Sequence, residues 1–166
     1  MNNIHRNAKI GRNVQVGPFT TIEEDVVIGD GCRIGANASI LNGTRMGSNC
    51  NIFPGAVVGA SPQDLKFEGE SSTLEIGNNV TIREYCTINR GTKASFKTYI
   101  GDHCLLMAYV HVAHDCIVGP HSILANNVNL AGHIHVGHHV VIGGLVAVHQ
   151  FVKIGAHSFI SGGSLV

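Results

Sequence analysis

The chain has 166 residues, a formal net charge of zero and only 13% charged side chains, so no basic surface is available to follow a nucleic-acid backbone. No apolar run reaches the ~18 residues that a membrane span needs, and the N-terminal MNNIHRNAKIG has no apolar signal-peptide core. One domain covering residues 1–166 is expected, cytoplasmic, with neither nucleic acid nor membrane as partner.

From the N-terminus, aliphatic residues recur every six positions. The series runs from Ile4 and Ile10 to Val58, returns at Ile76, Ile82 and Ile88, and continues from Ile100 to Val166. Asp64, Glu70 and Ala94 are its only exceptions. A fixed period of six fits neither the 3.6 of an α-helix nor the 2 of a strand; it is the mark of a hexapeptide-repeat β-helix. A β-sandwich, the ordinary home of so much Val and Ile, would show alternation and variable strand lengths. The residue after each aliphatic is often Gly, and the one four after it is small or β-branched, as at Cys32, Ala38, Thr44 and Cys50. The aliphatic and small residues are expected to face inward, with Gly and Asn supplying turns of positive φ. Three hexads make one triangular coil of eighteen residues, and each coil lays its strands ~4.8 Å above the last. The expected class is therefore all-β, a triangular prism. Its outer faces need cover, and a homotrimer about an axis parallel to the prism is expected.

The register lapses twice, at about residues 60–73 (ASPQDLKFEGESST) and 91–98 (GTKASFKT). Both lapses skip whole hexads, which predicts two loops projecting from the prism. Loops on so regular a scaffold suggest a contact surface, and Gln63, Asp64, Leu65 and Lys66 place polar groups and a cation on the first. The bland alternative is an insertion that a solenoid simply tolerates.

Cys32, Cys50, Cys86, Cys104 and Cys116 all take the small inward slot. Cys32 and Cys50 are one coil apart, as are Cys86 and Cys104, so each pair is expected to stack, reduced and structural.

Ten of eleven histidines follow residue 100. Counting by eighteen places His133 almost above His114, with His149 near the same corner and His111 on the same coil. His103, His121, His139 and His157 form a separate, outward column, read as a solvated stack. For the cluster around His114 three readings stand at this point. They are acid–base catalysis with Asp115 as a possible orienting group, a metal centre such as zinc, and structural use of His in turns.

The runs GASPQDLKFEGE, IREYCTINRGT, HVAHDCIVGPHSILANNVNLAGH and GGLVAVHQFVKIGAHSFISGGSLV resemble the UDP-N-acetylglucosamine acyltransferases of lipid A biosynthesis, over essentially the whole chain. The resemblance implies a left-handed parallel β-helix and transfer of a 3-hydroxyacyl chain from acyl carrier protein to the glucosamine 3-hydroxyl of UDP-N-acetylglucosamine, without metal or other cofactor. It implies His114 as general base, Asp115 as its orienting partner and Gly132 as the backbone donor to the oxyanion. It further implies substrate contacts from Gln63, Asp64, Leu65, Lys66, His111, His133, His149 and Gln150, and a role for Gly162 in the acyl-chain pocket. It also implies a C-terminal helical domain that these 166 residues lack, and weak or no turnover is expected without it. A zinc enzyme of the γ-carbonic-anhydrase type and a catalytically silent scaffold are the alternatives.

Overall fold

A computed structural model describes residues 1–166. It contains no helix, and so no helix long and apolar enough to cross a membrane. Its strands are two to four residues long and every third one joins the same sheet, giving three parallel eight-stranded sheets. The first face begins at Asn3–Ile4 and ends at Ala147–Val148, the second runs from Lys9–Ile10 to Lys153–Ile154, and the third from Gln15–Val16 to Phe159–Ile160. The chain is a left-handed parallel β-helix. No strand this short is stable alone; each persists because its backbone bonds to the coils before and after it.

Away from the lapses the register is the eighteen-residue coil, as in Thr21↔Ser39 and Ile22↔Ile40. Across the first loop it is thirty, with Val57 paired to Thr87. Across the second it is twenty-four, with Thr87 paired to His111. The loops thus add two hexads and one hexad, and the inward slots stay in phase. The second loop is shorter than expected, because pairing resumes at Lys97.

The aliphatic and small slots together form one core cluster of 35 buried residues. Burying each Ile, Leu or Val contributes about 1.5–3 kcal/mol. The small slot also has a polar task. Thr20 Oγ1 donates to Gly35 O at 2.9 Å and Ser122 Oγ to Gly137 O at 3.0 Å. The thiols of Cys32 and Cys116 reach the corresponding carbonyls of Gly47 and Ala131 at 3.2 and 3.0 Å. Buried carbonyls need a partner, and a hydroxyl or thiol supplies one at a site too narrow for a longer chain. All five cysteines are free and buried. Burial pushes the thiols of Cys86 and Cys104 up to about 11 and that of Cys116 up to about 12, so they remain unreactive thiols.

One expectation needs correction and another is made more specific. Cys86 and Cys104 do not stack. The extra hexad of the second loop sets Cys86 level with Val110 and Cys104 level with Val80, next to the pairs Thr87↔His111 and Thr81↔Leu105. Gly and Asn do supply positive φ, but apart from Gly59 the glycines that do so are not the ones directly after the aliphatics. Gly119 is needed for close approach: a Cβ there would lie 2.6 Å from the Gly137 carbonyl carbon on the next coil. The left-handed residue is the third after the aliphatic. Asn and Gly often fill it, as at Asn13, Asn37, Asn49, Asn79 and Asn127 and at Gly31, Gly43, Gly55 and Gly163, and bulkier side chains fill several other corners, but no β-branched residue does.

These corner residues give each edge of the prism its own column. Between the second and third faces stand Asn13, Asn49, Asn79, His103, His121, His139 and His157. Between the third and first stand Phe19, Tyr85, Tyr109 and Leu145, all exposed. Between the first and second stand Asp115, His133 and Phe151. Both loops leave the first face and return to the second, so they occupy this last edge too.

Candidate active site on the looped edge

Strand His111–Val112 delivers the chain to the corner Ala113–Cys116, and strand Ile117–Val118 carries it away along the second face. Consecutive residues in an extended strand point to opposite sides. Asp115 escapes that rule because its φ is +59°, which turns its carboxylate beside the His114 ring. Asp115 Oδ2 lies 2.8 Å from His114 Nδ1. Both side chains are almost wholly enclosed, at 7% and 1% exposure for His114 and Asp115.

The second loop does not simply project. It folds back under Asp115. Thr92 donates its N–H to Oδ1 at 3.0 Å and its hydroxyl to Oδ2 at 2.6 Å, and the Ser95 hydroxyl donates to Oδ1. The Asp115 N–H in turn donates to Thr98 Oγ1 at 2.9 Å. Burial by itself would raise the Asp115 pKa. The hydrogen bonds from Ser95, Thr92 and His114 outweigh burial and hold the carboxyl below its ordinary range. The carboxylate is therefore ionised and can only accept, so His114 Nδ1 carries a proton, and in the neutral ring the lone pair is on Nε2. Nε2 has no hydrogen-bond partner in the protein.

Gly132 lies one coil above His114. A Cβ on it would come within 2.5 Å of His114 Cε1 and 2.8 Å of Nε2, so only glycine admits the ring. Its N–H has no acceptor in the chain. On the second/third edge some of the equivalent corner N–H groups are capped from the coil above, Arg12 by Asp30 Oδ1 at 2.7 Å and Ser48 by Asn78 Oδ1 at 2.9 Å, while others, such as that of His138, are not. The Gly132 N–H is an uncapped donor of the same kind, beside an imidazole lone pair.

The first loop leans over this corner. His114, His133, Gln150 and Phe151 line a cleft of ≈ 440 Å³ with Gln63, Asp64, Leu65 and Lys66. A contiguous cleft of ≈ 340 Å³ adds His111, Asn129 and Gly132. The loop is braced from within: Asp64 Oδ1 accepts the Lys66 N–H at 2.9 Å, and Glu70 Oε1 accepts the N–H of Lys93, in the second loop, at 2.8 Å. Lys66 forms no ion pair and remains available to a ligand. His133 is stacked on Phe151 at 4.6 Å and meets the His114 ring edge-on at 5.0 Å. His111 Nδ1 is 2.7 Å from Thr87 Oγ1, and burial is the main cause of its lowered pKa. Three of the four histidines expected here thus converge. His149 does not join them: it is exposed and faces a neighbouring depression with Ala131, Ala147 and Leu165. Gly162 lies on the third/first edge against Gly144, away from this cleft.

His114, Asp115 and His133 place a ligand atom each within 4.8 Å of one another. An ion does not fit this set. Both Asp115 oxygens are spent on Thr92, Ser95 and His114, and His114 Nδ1 is spent on Asp115. Thr92, Ser95, Thr98 and Thr87 escaped the sequence reading. Counting coils sets Tyr99 against Ile117 and so Thr98 beside the corner of Asp115, but Thr92 and Ser95 lie in the inserted hexad, whose inward fold leaves no periodic signal.

The repeat signature of bacterial transferase hexapeptide proteins (six repeats) matches residues 7–42, 25–60 and 97–132, more than half of the chain. The chain belongs to that hexapeptide transferase family. Among its members it is similar to the acyl-[acyl-carrier-protein]–UDP-N-acetylglucosamine O-acyltransferases of Bartonella henselae, 48% identical over 114 residues, and of a Sulfurihydrogenibium species, 52% identical over 116 residues. Each match covers 68% of this chain and 42% of the relative, so the chain spans under half the length of these relatives. Solved structures agree. The UDP-N-acetylglucosamine acyltransferase LpxA of Bacteroides fragilis superposes with a TM-score of 0.97 at 50% identity, over 99% of this chain and 65% of that one. LpxA of Acinetobacter baumannii gives 0.98 at 48%, over 99% and 64%. The motif resemblance is borne out by these relatives.

Proposed function

We propose that this chain carries the acyl-transfer centre of a UDP-N-acetylglucosamine O-acyltransferase, acting in the first step of lipid A synthesis. The observation that carries the reading is the His114 imidazole, clasped by Asp115 at Nδ1, with a free Nε2 beside the uncapped Gly132 N–H. Its similarity to relatives named for this reaction supports the choice of substrates.

The glucosamine 3-hydroxyl oxygen attacks the thioester carbonyl of a 3-hydroxyacyl carrier protein, and His114 Nε2 takes its proton. The oxyanion of the tetrahedral intermediate accepts the Gly132 N–H, a fixed donor of a kind that contributes about 2.7–4 kcal/mol. The intermediate collapses, the ester forms, and the carrier's sulfur leaves with the proton from the imidazolium. Asp115 stays ionised and steadies the charged ring. Lys66 and Gln63 on the first loop, with His111, His133 and Gln150, hold the sugar nucleotide, Asp64 and Leu65 shape the loop that covers it, and His149 reaches only a part of the ligand that extends into the neighbouring depression.

The chain acts as a cytoplasmic homotrimer on this reading. The third/first edge exposes Tyr85, Tyr109 and Leu145 at 57%, 55% and 70%, large side chains on a column that also carries Asn127 and is suited to a second copy. Gly162 lies on that edge, where packing against a neighbour would bring it to an acyl-chain pocket.

The test is transfer from a 3-hydroxyacyl carrier protein to UDP-N-acetylglucosamine. His114→Ala is expected to lower the rate by about 10²–10⁴-fold with the thermal unfolding midpoint unchanged. A variant retaining most of the wild-type rate would remove His114 as the base.

A further inference from the structure

The second/third edge carries a separate convergence of side chains that acyl transfer does not use. His138 and His139 are consecutive at one corner, and His157 lies one coil above. His139 and His157 have φ of +55° and +60°, which sends both rings outward, one over the other at 5.0 Å. His138 presents its ring edge to both, with centroids 5.2 Å from His139 and 4.8 Å from His157 and planes at 89°. The Nδ1 atoms of His138 and His139 are 3.0 Å apart. One nitrogen from each of the three rings lies within 4.8 Å of the other two, and all three residues are exposed. No carboxylate engages them, since the histidine–carboxylate pairs are confined to His114 and His133.

The lower part of the same column behaves differently. His103 and His121 stack at 4.8 Å with planes 5° apart, and His121 stacks on His139 at 4.7 Å. Stacked rings alone are accounted for by the eighteen-residue coil. The edge-on His138, aimed at two of them, is what makes three nitrogens converge.

We propose that His138, His139 and His157 form a surface site for a divalent transition-metal cation, Zn²⁺, Ni²⁺ or Cu²⁺, held by three imidazoles with water completing the coordination. Imidazole nitrogen suits these ions. Bonds of ~2.0–2.1 Å to a tetrahedral centre set neighbouring ligand atoms about 3.4 Å apart. The His138–His139 pair is already near that separation, and the widest gap closes by rotation of exposed side chains. The proton shared by the two Nδ1 atoms moves to a solvent-facing Nε2, and the cation takes its place.

Titration calorimetry of the intact chain with Ni²⁺ and Zn²⁺ at neutral pH tests the site, with Cu²⁺ resonance spectra counting the nitrogens. One ion per chain is expected, with three nitrogen couplings. Asn occupies this corner slot at Asn13, Asn49 and Asn79 with φ near +57°, so the double variant H139N/H157N keeps the fold. It is expected to weaken binding at least ~100-fold, because loss of even an outer-shell partner costs ~10–100-fold. H138A is expected to weaken binding as well, and H103N, two coils below on the same column, to leave it unchanged. Wild-type affinity in the double variant, fewer than three nitrogens, one ion per three chains, or an equal loss in H103N would each overturn the site.

Discussion

Two edges of one prism carry histidines at equivalent corner positions and treat them in opposite ways. On the second/third edge nothing interrupts the coils, and His103, His121, His139 and His157 stand in water as a ladder of stacked rings. On the first/second edge two loops intervene, and the same kind of corner holds Asp115 and His133 beside a buried His114. The repeat decides which side chains share an edge. The inserted hexads decide whether that edge is solvent or a site, because they bring Thr92 and Ser95 under Asp115 and Gln63 and Lys66 over His114.

The largest expected effect comes from closing the space that the looped edge reserves. Gly132→Ala drives a Cβ into the His114 ring, which burial and the bond to Asp115 hold in place. Transfer should fall by at least ~10²-fold, with the purified variant still giving the β-helix circular dichroism of the wild type. A rate within twofold of wild type would mean that His114 does not work from this position.

A smaller effect separates the loop from the repeat. Thr92→Val with Ser95→Ala removes hydroxyl donors from a buried carboxylate, each worth about 1.5–3 kcal/mol. The double variant should lose a few kcal/mol of stability at neutral pH in urea unfolding, within that range per bond. The Asp115 pKa is depressed in the folded chain, so this contribution is fully present above the unfolded carboxylate value of about 3.9 and is lost as pH falls through the folded value. The gap between variant and wild type should therefore close on acidification. A gap independent of pH would assign the loss to packing.

The smallest effect belongs to the exposed ladder. His103→Asn keeps the left-handed corner and removes only a solvated ring, so stability should change by no more than about 0.5 kcal/mol and transfer should not change. A loss comparable with that at the looped edge would erase the contrast between the two columns.

Much of this was legible in the sequence, because periodicity survives without coordinates. Ile4 to Val166 fixed three faces and a coil of eighteen, and counting by eighteen brought His114 and His133 together. The PQDLK run proved to lie over them. What stayed hidden depends on shifts and conformations that a period does not encode. Cys86 and Cys104 were set beside one another by counting eighteen where the chain requires twenty-four. Thr92 and Ser95 looked like solvent-exposed loop residues until the second loop was seen to fold inward. Asp115 is a candidate orienting group by adjacency alone, but what turns it to face His114 is a left-handed corner at Asp115 itself, which the expected Gly and Asn turns do not include. His149 shares the edge by arithmetic, but its side chain faces the neighbouring depression.

The central claim is the protonation pattern of His114, which does not depend on turnover. Long-range ¹H–¹⁵N correlation spectra of the chain with labelled histidine, assigned by comparison with His114→Ala, read it directly at neutral pH. The account predicts a neutral His114 protonated at Nδ1 with an unprotonated Nε2, and loss of that preference in Asp115→Asn. A His114 carrying its proton on Nε2 in the wild-type chain would leave no base facing the cleft and would contradict it.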